Sequence, residues 1–137
     1  MPGMASSCIH RCPACGFRLE AWDDGSPYIL DDKGRPRFFH HPCEVEGRNE
    51  ILASCEWAQG REGADLARLV EARSGVMEDF ICLQCARRFK CDSGRKTPKC
   101  PRCGSEDVHD QYLLGGVTCP KCRRGRFPDT PEQGAIS

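Results

Sequence analysis

Eight of the twelve cysteines fall into four Cys-x-x-Cys pairs: Cys12/Cys15, Cys82/Cys85, Cys100/Cys103 and Cys119/Cys122. Two intervening residues let a tight knuckle aim both sulfurs at one ion, while the N–H groups of the turn can hydrogen-bond the thiolates. Proline follows the first cysteine in three of the four pairs and favours the turn. Gly16 and Gly104 follow the second cysteine, where a positive φ helps the chain leave the knuckle. Zinc takes four ligands in a tetrahedron, so each knuckle is half a site. Cys82/Cys85 and Cys100/Cys103 are separated by 14 residues and match the two-knuckle zinc spacing. Cys119/Cys122 has nothing downstream to complete it. In a nested pairing it closes a second site with Cys12/Cys15. In a local one, Cys12/Cys15 combine with His40 (or His41) and Cys43, and the last knuckle dimerises, recruits Cys55 or stays empty. The nested pairing is the expectation, because the local one strands two thiols. Two zinc ions would then occupy two four-thiolate sites, with iron as the other metal that suits four sulfurs.

The elements that must position these knuckles are small. Tyr28–Leu30 and Arg37–Phe39 predict a hairpin around the turn Asp31–Gly34, with Pro36 keeping the return strand at an edge. Leu66, Leu69 and Val70 recur at helical spacing and predict one helix over Glu62–Arg73. Tyr112–Thr118 predicts another hairpin turning at Gly115-Gly116, and the Pro/Gly-rich end from Pro128 predicts disorder. The expected fold is small, metal-stabilised and mainly β with one α-helix: two zinc ribbons, the second nested within the first. Its expected segments are an N-terminal knuckle and hairpin (8–60), a connecting helix (61–78), a central ribbon (79–109), a C-terminal hairpin and knuckle completing the first site (110–127), and a tail (128–137).

Composition agrees with a metal-dependent architecture. Of 137 residues 39% are apolar, but twelve of these are cysteine, and without them the figure is roughly 30%. Such a chain offers little to fill a core. No apolar run approaches the roughly 20 residues of a membrane span. The start, Met1-Pro2-Gly3-Met4, lacks a charged stretch followed by an apolar one, so a secretory leader is not expected. A reducing cytoplasmic compartment, where clustered thiols bind metal rather than pair as disulfides, is the corresponding expectation.

Charge is balanced overall at 20 Lys+Arg against 20 Asp+Glu, yet it is segregated. Residues 1–81 carry 9 basic and 14 acidic side chains, a net of −5, whereas residues 82–126 carry 11 and 4, a net of +7. Arg87, Arg88, Lys90, Arg95, Lys96 and Lys99 crowd the central ribbon, and Lys121, Arg123, Arg124 and Arg126 flank the last knuckle. Such clusters suit phosphates, and they also offset the negative charge of four thiolates around a divalent ion. A protein or a nucleic acid is therefore the expected partner, and no membrane. No Gly-rich nucleotide loop, HExxH or nucleophile elbow occurs. Asp23, Asp24, Asp31 and Asp32 read as loop residues, so no catalytic residue is assigned. Phe89 and Phe127 could stack on bases or pack beneath their knuckles. Cys8, Cys55 and Cys91 lack a partner at knuckle spacing and read as small apolar residues or free thiols, and His10 and His109 as surface histidines.

These motifs resemble the zinc-ribbon superfamily, whose members fold as knuckles on a small antiparallel sheet. Residues 80–108 carry the likeness, through Phe80-Ile81-Cys82-x-x-Cys85-x-x-x-Phe89 and Cys100-Pro101-Arg102-Cys103-Gly104. The same stretch is similar to the zinc domain of nickel-insertion chaperones. Those bind nickel through an N-terminal Met-His where this chain reads Met1-Pro2, so nickel handling is not implied. Cys-x-x-Cys pairs can also act as dithiol switches, and rubredoxins look similar locally, so a redox or electron-transfer protein using these thiols or iron is the alternative; rubredoxin knuckles lie farther apart than 14 residues. The resemblance implies a scaffold, and a function carried on its surface.

Overall fold

A computed structural model describes residues 5–40 and 43–136. In chain order the elements are β1 (Ser6–Arg11), β2 (Arg18–Trp22), β3 (Ser26–Leu30), β4 (Pro36–Phe38), α1 (Glu44–Ser54), α2 (Gly63–Arg73), β5 (Ser74–Cys82), β6 (Arg88–Cys91), β7 (Val108–Asp110) and β8 (Glu132–Ile136). The chain divides into two units. One spans Ser26–Met77, and the other joins the chain up to Gly25 with the chain from Glu78 onward. Each has its own small core.

In the Ser26–Met77 unit, β3 pairs antiparallel with β4 and with the first residues of β5. The β3–β4 turn forms where the sequence places it. The Asp31 carboxylate accepts from the Lys33 and Arg35 N–H groups at 3.0 and 2.9 Å, and Gly34 takes φ +76°. Asp32 caps a one-turn 3-10 segment by accepting from the N–H groups of Glu56 and Trp57. The core here is Ile29, Ile51, Cys55 and Ala58, with Phe39, Trp57 and Leu66 packed on it.

Helix α2 follows the predicted periodicity, but α1 is an addition, giving two α-helices rather than one. Its sequence, Glu-Val-Glu-Gly-Arg-Asn-Glu-Ile-Leu-Ala-Ser, has no apolar stripe to announce it: only Ile51 is buried and Val45 is 70% exposed. Gly47, a poor helix former, sits close to Phe39: a Cβ there would lie 3.0 Å from Phe39 Cβ, so a side chain would make Phe39 give way by a few tenths of an ångström.

In the other unit β1 is central to a three-stranded sheet in the order β2-β1-β8, all antiparallel. The end of β5 pairs with β6 and with β7, through Phe80↔Phe89 and Cys82↔Val108 among others. The core gathers Cys12, Leu19, Ala21, Ile81, Leu114, Cys119 and Phe127. Two expectations are corrected here. The tail from Pro128, expected to be disordered, contains strand β8. Glu132–Ile136 pairs with β1 because Gly134 leaves room for the Ser7 hydroxyl, which accepts from the Ala135 N–H at 2.7 Å, and Arg11 pairs with Glu132 at 3.0 Å. Gly115-Gly116 does turn the chain, the Val117 N–H donating to the Leu114 carbonyl at 3.0 Å, but no hairpin forms around it. Gln111–Leu113 forms a 3-10 turn, and pairing runs across the last knuckle instead, from Val117 and Thr118 to Phe127 and Arg126. Among the described residues no helix is long and apolar enough to cross a membrane.

Candidate metal centres

All four knuckles share one backbone design. In each, the N–H of the residue four positions after the first cysteine donates to that cysteine's carbonyl: Gly16 to Cys12, Ala86 to Cys82, Gly104 to Cys100 and Arg123 to Cys119, each at 2.9 Å. That residue takes a positive φ every time, +79°, +65°, +74° and +60° in the same order. Glycine does so freely, whereas Ala86 and Arg123 carry a left-handed backbone at some cost. The first cysteine's own N–H reaches forward to close the loop, to Phe17, Arg87 and Ser105 five residues on, and to Gly125 six residues on. The last knuckle is thus one residue longer. Further N–H groups point at sulfur: Gln84 at Cys82, Arg102 and Cys103 at Cys100, and Gly125 at Cys122, at 3.4–3.5 Å.

The knuckles meet in two sets of four. Cys12, Cys15, Cys119 and Cys122 form one and Cys82, Cys85, Cys100 and Cys103 the other, with all sulfurs of a set within 4.8 Å of one another. The cross-knuckle separations are 3.7 Å (Cys12–Cys122), 3.8 Å (Cys15–Cys119), 3.6 Å (Cys82–Cys103) and 3.6 Å (Cys85–Cys100). A disulfide would bring sulfurs to about 2.05 Å. A tetrahedron of sulfurs about 2.3 Å from a central zinc has edges of about 3.8 Å. The thiols therefore stand at the spacing of ligands around one ion, and both sets could hold a metal. The first cysteine of each knuckle is buried and the second is exposed or half-buried.

Without an ion the thiols of a set share protons unequally. Burial raises the Cys100 thiol, but the Cys103 and Arg102 N–H groups and neighbouring thiols outweigh it and bring it down to about 6. Cys122 falls to about 6 through the N–H groups of Gly125 and Arg124. Cys103 is pushed up to about 11: the Ser105 N–H lowers it, but its hydrogen bond with Cys82, burial and the other thiols prevail. Burial is the main force taking Cys119 to about 11. Each set thus combines a ready thiolate with a thiol whose proton an incoming cation must displace.

The other candidates lie elsewhere. Among the described residues no ligand cluster contains His40 or Cys43: Cys43 is exposed and His40 stacks on Phe38. His41 lies outside the described residues. Cys8, Cys55 and Cys91 are buried and free. His10 is no surface residue: it is 1% exposed, packs edge-on against Phe127, and donates from Nε2 to the Tyr112 carbonyl at 3.0 Å. Phe127 is itself buried and has no face for a base. Asp23 accepts from the Ser6 N–H and hydroxyl, so with Asp31 and Asp32 it serves loop structure.

Gly125 escaped sequence reasoning. A Cβ there would stand 2.5 Å from Cys12 Sγ and 2.7 Å from Ala14 Cβ, so only glycine lets the two outer knuckles close. Its one visible signal is its place three residues after Cys122, where a knuckle leaves. Compared with protein-family models, curated proteins and solved structures, the chain has no match in any of the three.

Proposed function

We propose that the chain is a zinc-ribbon-like binding module, held by two structural zinc ions and meeting a protein or nucleic-acid partner through its surface. The observation that carries this is the pair of four-sulfur sets at tetrahedral separations. In chain order the Cys82–Cys103 ribbon lies between the halves of the Cys12/Cys15 and Cys119/Cys122 site, the nested arrangement. Zinc bound by four thiolates has no open position for water or substrate, so its chemistry there is cross-linking rather than Lewis-acid catalysis. Its binding free energy becomes folding free energy, on the order of 10 kcal/mol per site in zinc-finger peptides. That supports a unit whose core cluster is seven residues, two of them ligands. Free thiols at these separations suit a reducing, cytoplasmic compartment.

Elemental analysis of the purified protein tests the reading. Two equivalents of zinc are expected, falling to one in Cys119→Ser or Cys82→Ser, and staying at two in Cys43→Ser and in Cys55→Ala. A protein without metal, or one that keeps its thermal transition after exhaustive chelation, refutes it. Visible absorption from an iron–thiolate site would instead favour electron transfer.

A further inference from the structure

The basic residues of the second half are not equivalent. Arg88 donates to the Gln111 side chain and to the Glu20 carbonyl. Arg126 donates twice to the Gly116 carbonyl, and Arg123 to the Gln84 carbonyl. Lys90 pairs with Asp79 at 2.7 Å. These charges hold the unit together. Lys96 and Lys99 make no ion pair among the described residues, and both line a surface cavity of about 260 Å³ with Lys90, Phe89 and Pro101. Phe89 is half-buried and its ring packs on Phe80, with centroids 5.9 Å apart. A larger cavity of about 340 Å³ is lined by Cys15 and Cys122 and belongs to the metal centre already described.

We infer that the Phe89 cavity takes one nucleotide of a single-stranded nucleic acid, its base against the Phe89 and Pro101 wall and its flanking phosphates on Lys96 and Lys99. The inference rests on the binding-module reading above and names the partner. The volume falls just under the roughly 300–1,000 Å³ of small-molecule sites, which suits one unit of a longer chain. An aromatic wall beside uncompensated cations is the combination that binds single strands, because every base has a π-face and every link a phosphate. A duplex keeps its bases stacked away from such a cavity. The net of −5 over residues 1–81 also opposes the coating of a duplex by the whole chain.

The test is fluorescence anisotropy with a fluorescein-labelled 12-mer of oligo-uridylate, on full-length protein whose metal content has been measured alongside. Two phosphate contacts to a single strand account for about 1.4 of the slope of log K against log salt. The Lys96→Gln/Lys99→Gln variant is therefore expected to bind about 25-fold more weakly at 0.1 M salt, with a slope shallower by about 1.4. Phe89→Leu is expected to lose about tenfold with the slope unchanged. The double lysine variant leaves the core intact, so the proposal stays falsifiable if Phe89→Leu fails to fold. Binding by that variant equal to the parent's overturns the proposal, as does no binding by the parent or equal binding of a 12-base-pair duplex. ATP competing at the same concentration of nucleotide as the 12-mer would mark a free-nucleotide site and overturn the single-strand assignment. Loss of metal in the parent would instead count against the binding-module reading, and elemental analysis shows it separately.

Discussion

Gly125→Ala adds one methyl group at the point where the first and last knuckles close. The new Cβ would sit 2.5 Å from Cys12 Sγ and 2.7 Å from Ala14 Cβ, both far inside van der Waals contact. Cys12 is 0% exposed and its sulfur is 3.7 Å from Cys122 Sγ, so it cannot retreat without leaving the tetrahedron. Overpacking of this kind costs about 1–3 kcal/mol. At about 1.4 kcal/mol per decade, the outer site should hold its metal about 5- to 150-fold less tightly. The inner site, whose sulfurs make no such approach, should be unchanged. Graded competition with a zinc chelator reads this directly: the parent releases two equivalents, and in Gly125→Ala one release moves to lower chelator while the other stays. Identical release curves for variant and parent would refute the geometry of the outer site. Both releases moving together would show that the two sites do not hold their ions independently.

Two further outcomes follow from the same knuckles. Metal affinity should rise with pH by at least tenfold per unit between pH 7 and 8, because Cys103 and Cys119, pushed up to about 11, are still protonated there and must each lose a proton on ligation. Calorimetry in buffers of differing ionisation enthalpy should show at least one proton released per ion, and a pH-independent affinity would contradict it. Ala86→Gly should stabilise the metal-loaded protein by about 1 kcal/mol in chemical denaturation, since Ala86 holds φ +65°. Arg123→Gly should gain less than Ala86→Gly, because it also discards the guanidinium bond to Gln84.

The knuckle thiols were legible because their geometry is local. A Cys-x-x-Cys knuckle is built within six or seven residues, so its turn, its positive-φ exit and its paired sulfurs can be read without the rest of the fold. The β3–β4 hairpin and α2 were legible for the same reason: turn residues at Asp31–Gly34 and a 3.6-residue stripe in Glu62–Arg73. Helix α1 was not, because it buries only Ile51 and so shows no apolar stripe at helical spacing. Strand β8 was not, because a Pro/Gly-rich segment becomes a strand only where β1 offers an edge and Ser7 a hydrogen bond.

Sequence by itself settled which eight thiols stand in knuckles, since that spacing is a property of a few consecutive bonds. The spacing also pointed to the two sets of four that the folded chain brings together; tertiary structure alone decided which arginines are tied to carbonyls and that residue 125 must lack a side chain. Those depend on distances between segments apart in the chain, such as Gln84 and Arg123 or Cys12 and Gly125, and no local pattern encodes such distances.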